Sequence, residues 1–161
     1  MSKFDTYNPV TRYIVALASS KGDFVSNKKL QKLLYYIQAY FVAVNEPLFP
    51  EDFQAWVHGP VLPEAYREFR EFGFNPIVIN DLTNPEEEIE EFERSFNNEE
   101  LELLHDVVRF YFTKKSFELE LLTHRESPWL DARGDLPMDA PSEEVITKES
   151  MARFYSQYIE D

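Results

Sequence analysis

"SNKKLQKLLYYIQAYFVAVN", residues 26–45, decides how the rest of the chain is read. Ser26 offers a side-chain oxygen where a helix would need a cap. Leu30, Leu33, Leu34, Ile37, Phe41 and Val44 then recur at helical spacing along one stripe. Tyr35, Ala39 and Val42 fall on the far side, among Lys28, Gln31 and Lys32. A helix apolar on nearly every face sits at the centre of its domain. The alternative is that the far side is an exposed binding face.

Helical signals extend in both directions from this segment. Upstream, Asn8-Pro9 reads as an N-cap with proline in the first turn, Val10, Tyr13, Ile14 and Leu17 form a stripe, and Gly22 ends it. Downstream, "QAWVHGP" reads as a short extended or irregular segment. "LPEAYREFREFG" reads as a third helix, with Ala65, Tyr66, Phe69 and Phe72 on one face. "PIVIN", residues 76–80, is β-branched and bounded by turns, so a small strand there would pair with the segment near Trp56. Asn84-Pro85 opens an acidic helix, and Asn97 with Glu100 has capping-box spacing at the start of a longer one. Ser116 is placed to cap "FELELLTH", and residues 125–144 read as a proline-rich connector with at most one helical turn. Thr147 caps a last helix whose Met151, Phe154, Tyr155 and Tyr158 point inward. The expectation is a mainly α fold: one helical domain over residues 1–161, about seven helices, and at most a minor β element.

Composition supports a folded core: 43% of the 161 residues are hydrophobic and 16% aromatic, with fourteen Phe and nine Tyr. The net charge of −14 disfavours nucleic acid and anionic membranes and favours a basic partner; the alternative is that it serves solubility alone. Acidity concentrates in residues 81–102, which hold ten acids and one base. With no cysteine, disulfides, thiolate nucleophiles and Cys-ligated zinc are excluded together. No apolar run reaches membrane-spanning length and the first residues do not read as a signal peptide, so the expected setting is cytoplasmic.

Catalytic signatures are absent: no phosphate-cradling glycine loop, no H-E-x-x-H and no G-x-S-x-G. The three histidines, His58, His105 and His124, lack metal-ligand spacing, so neither metal nor cofactor is expected. His105 lies at the border of an apolar stripe and reads as a hydrogen-bonded, partly buried side chain. In "AWVHGPV", residues 55–61, Gly59-Pro60 lets the chain turn sharply beneath Trp56. His58 then locks the corner through a backbone group, and the Trp56 indole anchors it to the core. "LTHRESPW", residues 122–129, repeats the ingredients with Thr123, His124, Pro128 and Trp129. The competing chemistry is a His58–His124 acid–base pair beside a carboxylate such as Glu126, the arrangement of a small hydrolase.

Three segments in this order, "KLQKLLYYIQAYFVAVNEPLF", "DFQAWVHGPVLPEAYREF" and "SFELELLTHRESPWLDAR", resemble the Panacea antitoxin domain, also called SocA-like or phage-associated GepA-like, over roughly residues 8–133. The matching positions are Lys32, Leu33, Tyr35, Trp56, His58, Gly59, Pro60, Val61, Tyr66, Thr123, His124, Pro128 and Trp129. The resemblance implies a helical, non-enzymatic antitoxin of a type II system that neutralises a cognate protein toxin by direct contact. It also implies, as the alternative, a proteolytic adaptor that delivers the toxin to a AAA+ protease. The motif residues should define the fold, which leaves partner contact to exposed surface. The candidates are Phe69, Phe72 and Phe74, the acidic Glu87, Glu88 and Glu91, and Tyr155 and Tyr158 at the end. The charged stretch 84–100 would suit one basic toxin, and the resemblance fades over residues 134–161.

Overall fold

Ser26 accepts a hydrogen bond from the Lys29 N–H and starts helix α2, Asn27–Ala43, which ends at Asn45 in the left-handed region at φ +63°. The computed structural model describes residues 2–159. Within them α2 is the axis of the molecule: α1 (Asn8–Ser20), α3 (Pro63–Phe69), α5 (Asn98–Tyr111), α6 (Ser116–Thr123) and α8 (Lys148–Tyr155) all pack on it. Leu30, Leu33, Leu34, Ile37 and Phe41 of its apolar stripe are buried, and so are Gln31, Lys32, Tyr35, Gln38, Ala39 and Val42 on the other side. The far side is therefore interior, not a binding face. Each fully buried Leu, Ile or Phe along it contributes about 2 kcal/mol.

Two more helices complete the described set of eight. α4 (Pro85–Glu93) lies against α1, and α7 (Ser127–Arg133) packs on α8 and the strands. Short 3-10 turns, Arg70–Phe72 and Ser156–Tyr158, extend α3 and α8. α7 is the helix beyond the expected seven, and it lies in the stretch expected to be a connector with at most one helical turn. Most caps fall where the sequence places them. The Asn97 side chain accepts from Glu100 N–H while Glu100 accepts from Asn97 N–H, Asn84 caps α4, and Thr147 accepts from Ser150 N–H. Two shift by one residue. Tyr7 is the N-cap of α1, and Lys115 that of α6, with the Glu118 carboxylate accepting from its N–H.

The β element is a small antiparallel sheet of order β2–β1–β3. β1 (Phe53–Trp56) and β2 (Gly59–Val61) form a hairpin in register Gln54↔Val61, Ala55↔Pro60 and Trp56↔Gly59. β3 (Val145–Ile146) pairs with the other edge of β1, Phe53↔Ile146 and Gln54↔Val145. The expected strand at 76–80 does not form. Ile77 is buried and gives its N–H to the Val25 carbonyl, and no ladder continues from it. The edge of β1 that it would have taken belongs to β3.

Candidate functional site

The motif residues converge on one corner, built outward from Lys32. Its side chain is wholly buried, and Nζ donates to the Pro60 carbonyl at 3.1 Å. Burial pulls its pKa from 10.5 down to about 7, because an ammonium removed from water loses its hydration; the Glu120 charge opposes this. Above the lysine stem runs Gly59 at φ +108°. A Cβ there would lie 2.6 Å from Lys32 Cε and 2.9 Å from Thr123 Oγ1. Glycine is thus required twice, for its backbone angle and for room. Thr123 is itself buried and donates to the Glu120 carbonyl at 2.7 Å.

Polar side chains of α2 hold the irregular backbone around this corner. Gln31 Oε1 accepts from Leu62 N–H, and its Nε2 donates to Asn27, whose own amide donates to the Tyr66 carbonyl. Gln38 donates to the Phe49 carbonyl and accepts from Leu48 N–H. Loop backbone that is buried needs such partners, and one helix supplies them.

From the opposite side α7 delivers Trp129, 1% exposed, whose Nε1–H donates to the Trp56 carbonyl at 2.8 Å. His124 stacks on this indole at 4.1 Å, and the Arg133 guanidinium lies over it at 4.8 Å. Arg133 is buried and also donates to the carbonyls of Ala55, Pro137 and Ala140. The anchoring indole is therefore Trp129. Trp56, half-buried, leans edge-on against Tyr66 and bonds Gln54. Pro128, Leu33 and Tyr35 are buried.

The histidines play unequal parts. His58 occupies the two-residue hairpin turn with its side chain 72% exposed, and instead of locking backbone it places Nδ1 3.2 Å from Glu120 Oε2. Glu120 also takes Lys28 Nζ at 2.6 Å on its other oxygen. Burial pushes the Glu120 carboxyl up, but Lys28 and His58 outweigh it and hold the pKa below the usual range. His124 is half-buried, its Nε2 has no hydrogen-bond partner, and burial lowers its pKa. His105 is exposed and bridges α5 to α4 through Glu93 at 3.0 Å. Among the described residues no cluster of three or more His, Asp or Glu has metal-binding geometry.

Glu126 belongs to a different network. Its Oε1 accepts from Tyr36 at 2.8 Å and Tyr155 at 2.7 Å, and Tyr155 lies 3.0 Å from the Tyr35 hydroxyl. One phenol has one proton, so Tyr155 gives its own to Glu126 and receives that of Tyr35. Burial raises the Glu126 pKa, with the Tyr155 and Tyr36 bonds opposing.

The surface candidates separate by exposure. Phe74, 92% exposed, Glu87, Glu91 and Tyr158 face solvent. Phe69 and Tyr155 are buried and drop out as direct contacts: Phe69 turns inward from α3 and Tyr155 closes the tyrosine network. Phe72 is half-buried, and Glu88 is held by Arg12 at 2.9 Å. Sequence reading missed Glu120 and Arg133. Glu120 stands four residues before His124, so helical spacing puts both on one face. Nothing in "LDARGD" marks Arg133.

The corner is thus the keystone of a helical scaffold, with Lys32, Thr123, Trp129 and Arg133 turned to backbone. The chain belongs to the family described as antitoxin SocA-like, Panacea domain, whose model matches residues 30–130, more than half of its length. The match runs from within α2 to α7, narrower than the 8–133 expected, and leaves α1, β3 and α8 outside. No curated protein and no solved structure matches the chain. No described helix is long and apolar enough to cross a membrane.

Proposed function

We propose that this protein is the antitoxin of a type II toxin–antitoxin pair, acting by direct contact with a cognate protein toxin and without catalysis of its own. The observation that carries the reading is the fate of the motif residues in a chain of the SocA-like antitoxin family. Lys32, Gly59, Thr123 and Trp129 are consumed in packing and backbone bonds, and the two imidazoles at the corner serve different surroundings. A hydrolase would need such groups aimed together at a substrate. A binder needs them only to hold its surface in shape.

The test is co-expression with the protein encoded beside it. Induction of the neighbour alone should arrest growth. This chain should restore growth and co-purify with the neighbour, and a stop codon early in its reading frame should abolish rescue. Rescue that survives the stop codon, or no rescue and no complex, would defeat the reading. Toxin half-life measured in the same cells should stay unchanged, whereas accelerated loss would indicate delivery to a protease.

A further inference from the structure

Between the C-terminal end of α2, the exposed side of α5 and the 3-10 turn Ser156–Tyr158 lies a groove of about 900 Å3. Its floor is apolar, with Phe41 and Val107 buried and Leu103 half-buried. Tyr40 and Tyr111 join hydroxyls at 2.9 Å beneath it. Two aromatic rings stand out from its lining, Phe110 at 59% and Tyr158 at 55% exposure. Its walls are acidic: Glu46, Glu99, Glu100, Glu102 and Asp106 line it, and among the described residues no lysine, arginine or histidine does. Lys3 reaches Glu100 and Arg109 reaches Asp106, while Glu46, Glu99 and Glu102 enter no ion pair among the described residues. Glu46 has its pKa raised by Glu100 beside it.

Carboxylates gathered around an apolar floor repel one another until a cation arrives. Lys114 Nζ already lies 4.5 Å from the centre of the Phe110 ring, so Tyr158 offers the π-face to a guanidinium or ammonium, and both rings offer contact area to apolar side chains. The other acidic face, on α4, lacks this combination: Phe92 is turned inward and Glu88 is already engaged by Arg12.

We propose that this groove docks an amphipathic, lysine- and arginine-bearing segment of a partner protein. Its cations sit against the α5 carboxylates and the face of Tyr158, and its apolar residues sit on Phe110, Leu103 and Val107. The proposal rests on the reading that the chain acts by binding another protein. It adds where binding occurs and what chemistry is recognised.

The test titrates the full chain into a labelled peptide with arginines on one helical face and leucines on the other, using a glutamate-for-arginine peptide as control. Paired Glu99→Lys and Glu102→Lys substitutions should weaken binding at least about tenfold. Phe110→Ala with Tyr158→Ala should weaken it several-fold. Glu86→Lys with Glu91→Lys, an equal charge change on α4, should leave it nearly unchanged. No binding, equal loss in both charge variants, or loss only in the α4 variant overturns the proposal. Growth rescue keeps the two readings apart. A Glu99→Lys/Glu102→Lys protein that still neutralises the toxin sinks the groove and spares the antitoxin. Intact peptide binding without neutralisation does the reverse.

Discussion

His58 and His124 look equivalent in the sequence and are not equivalent in the molecule. His58 sits in the open hairpin turn, and its partner Glu120 keeps Lys28 if the imidazole is removed. His58→Ala should change stability by less than about 0.5 kcal/mol. His124 fills space against Trp129, so His124→Ala should destabilise by about 1–2 kcal/mol. Urea unfolding of both variants measures the difference; equal losses would contradict it. Lys32 sets a pH dependence of its own. Its folded pKa of about 7 lies well below its unfolded 10.5, so between those values the unfolded chain holds the extra proton. Its contribution to stability therefore rises as pH climbs from about 7 and is lost as pH falls through that value. Lys32→Met removes the slope. Between pH about 6.5 and 9, below the ionisation of unfolded-state tyrosines, the parent chain should gain about 2 kcal/mol on the variant. Parallel curves would show that the ammonium is solvated.

At the scale of elements, α4 is the outlier. It packs on α1 through Phe92, which stacks on Tyr13 at 4.3 Å and on Phe4 at 5.2 Å, and through the pairing of Arg12 with Glu88. Phe92→Ala should release it locally. Hydrogen exchange would show lost protection over residues 85–93 while α2 amides stay protected, and uniform loss across the chain would refute independent opening. The helices were legible in the sequence because their signals are local. Ser26, Asn84, Asn97 and Thr147 cap where side-chain chemistry puts them, and the α2 stripe is long enough to be unmistakable. The sheet was not legible, because its third strand is two residues long and its place is set by tertiary contacts. Lys148 Nζ, which bonds the Pro50 carbonyl and Asp52, fastens the start of α8 beside β1. At the site, the need for glycine at position 59 and for tryptophan at 129 could be anticipated. Which indole would be buried could not, since both carry the same local pattern.

Across the whole molecule the charge of −14 acts on stability and association in opposite ways. Self-repulsion among acidic surface groups opposes folding, and salt screens it beyond about 10 Å at 0.1 M. Raising NaCl from about 10 to 300 mM should therefore raise the melting temperature by a few degrees. The same salt should slow association with a cationic partner. Calorimetry and stopped-flow mixing across one salt series would read both, and a melting temperature that falls with salt would show that the ion pairs outweigh the repulsion.

Arg133 gives the tail a clasp. Its guanidinium takes the carbonyls of Ala55, Pro137 and Ala140, and so fixes both the β1 backbone and the loop that brings β3 back to it. In a chain without cysteine this side chain does the work that secreted proteins give to a crosslink, tying distant backbone together with no oxidant required. Unlike a crosslink, it opens and closes with the fold itself.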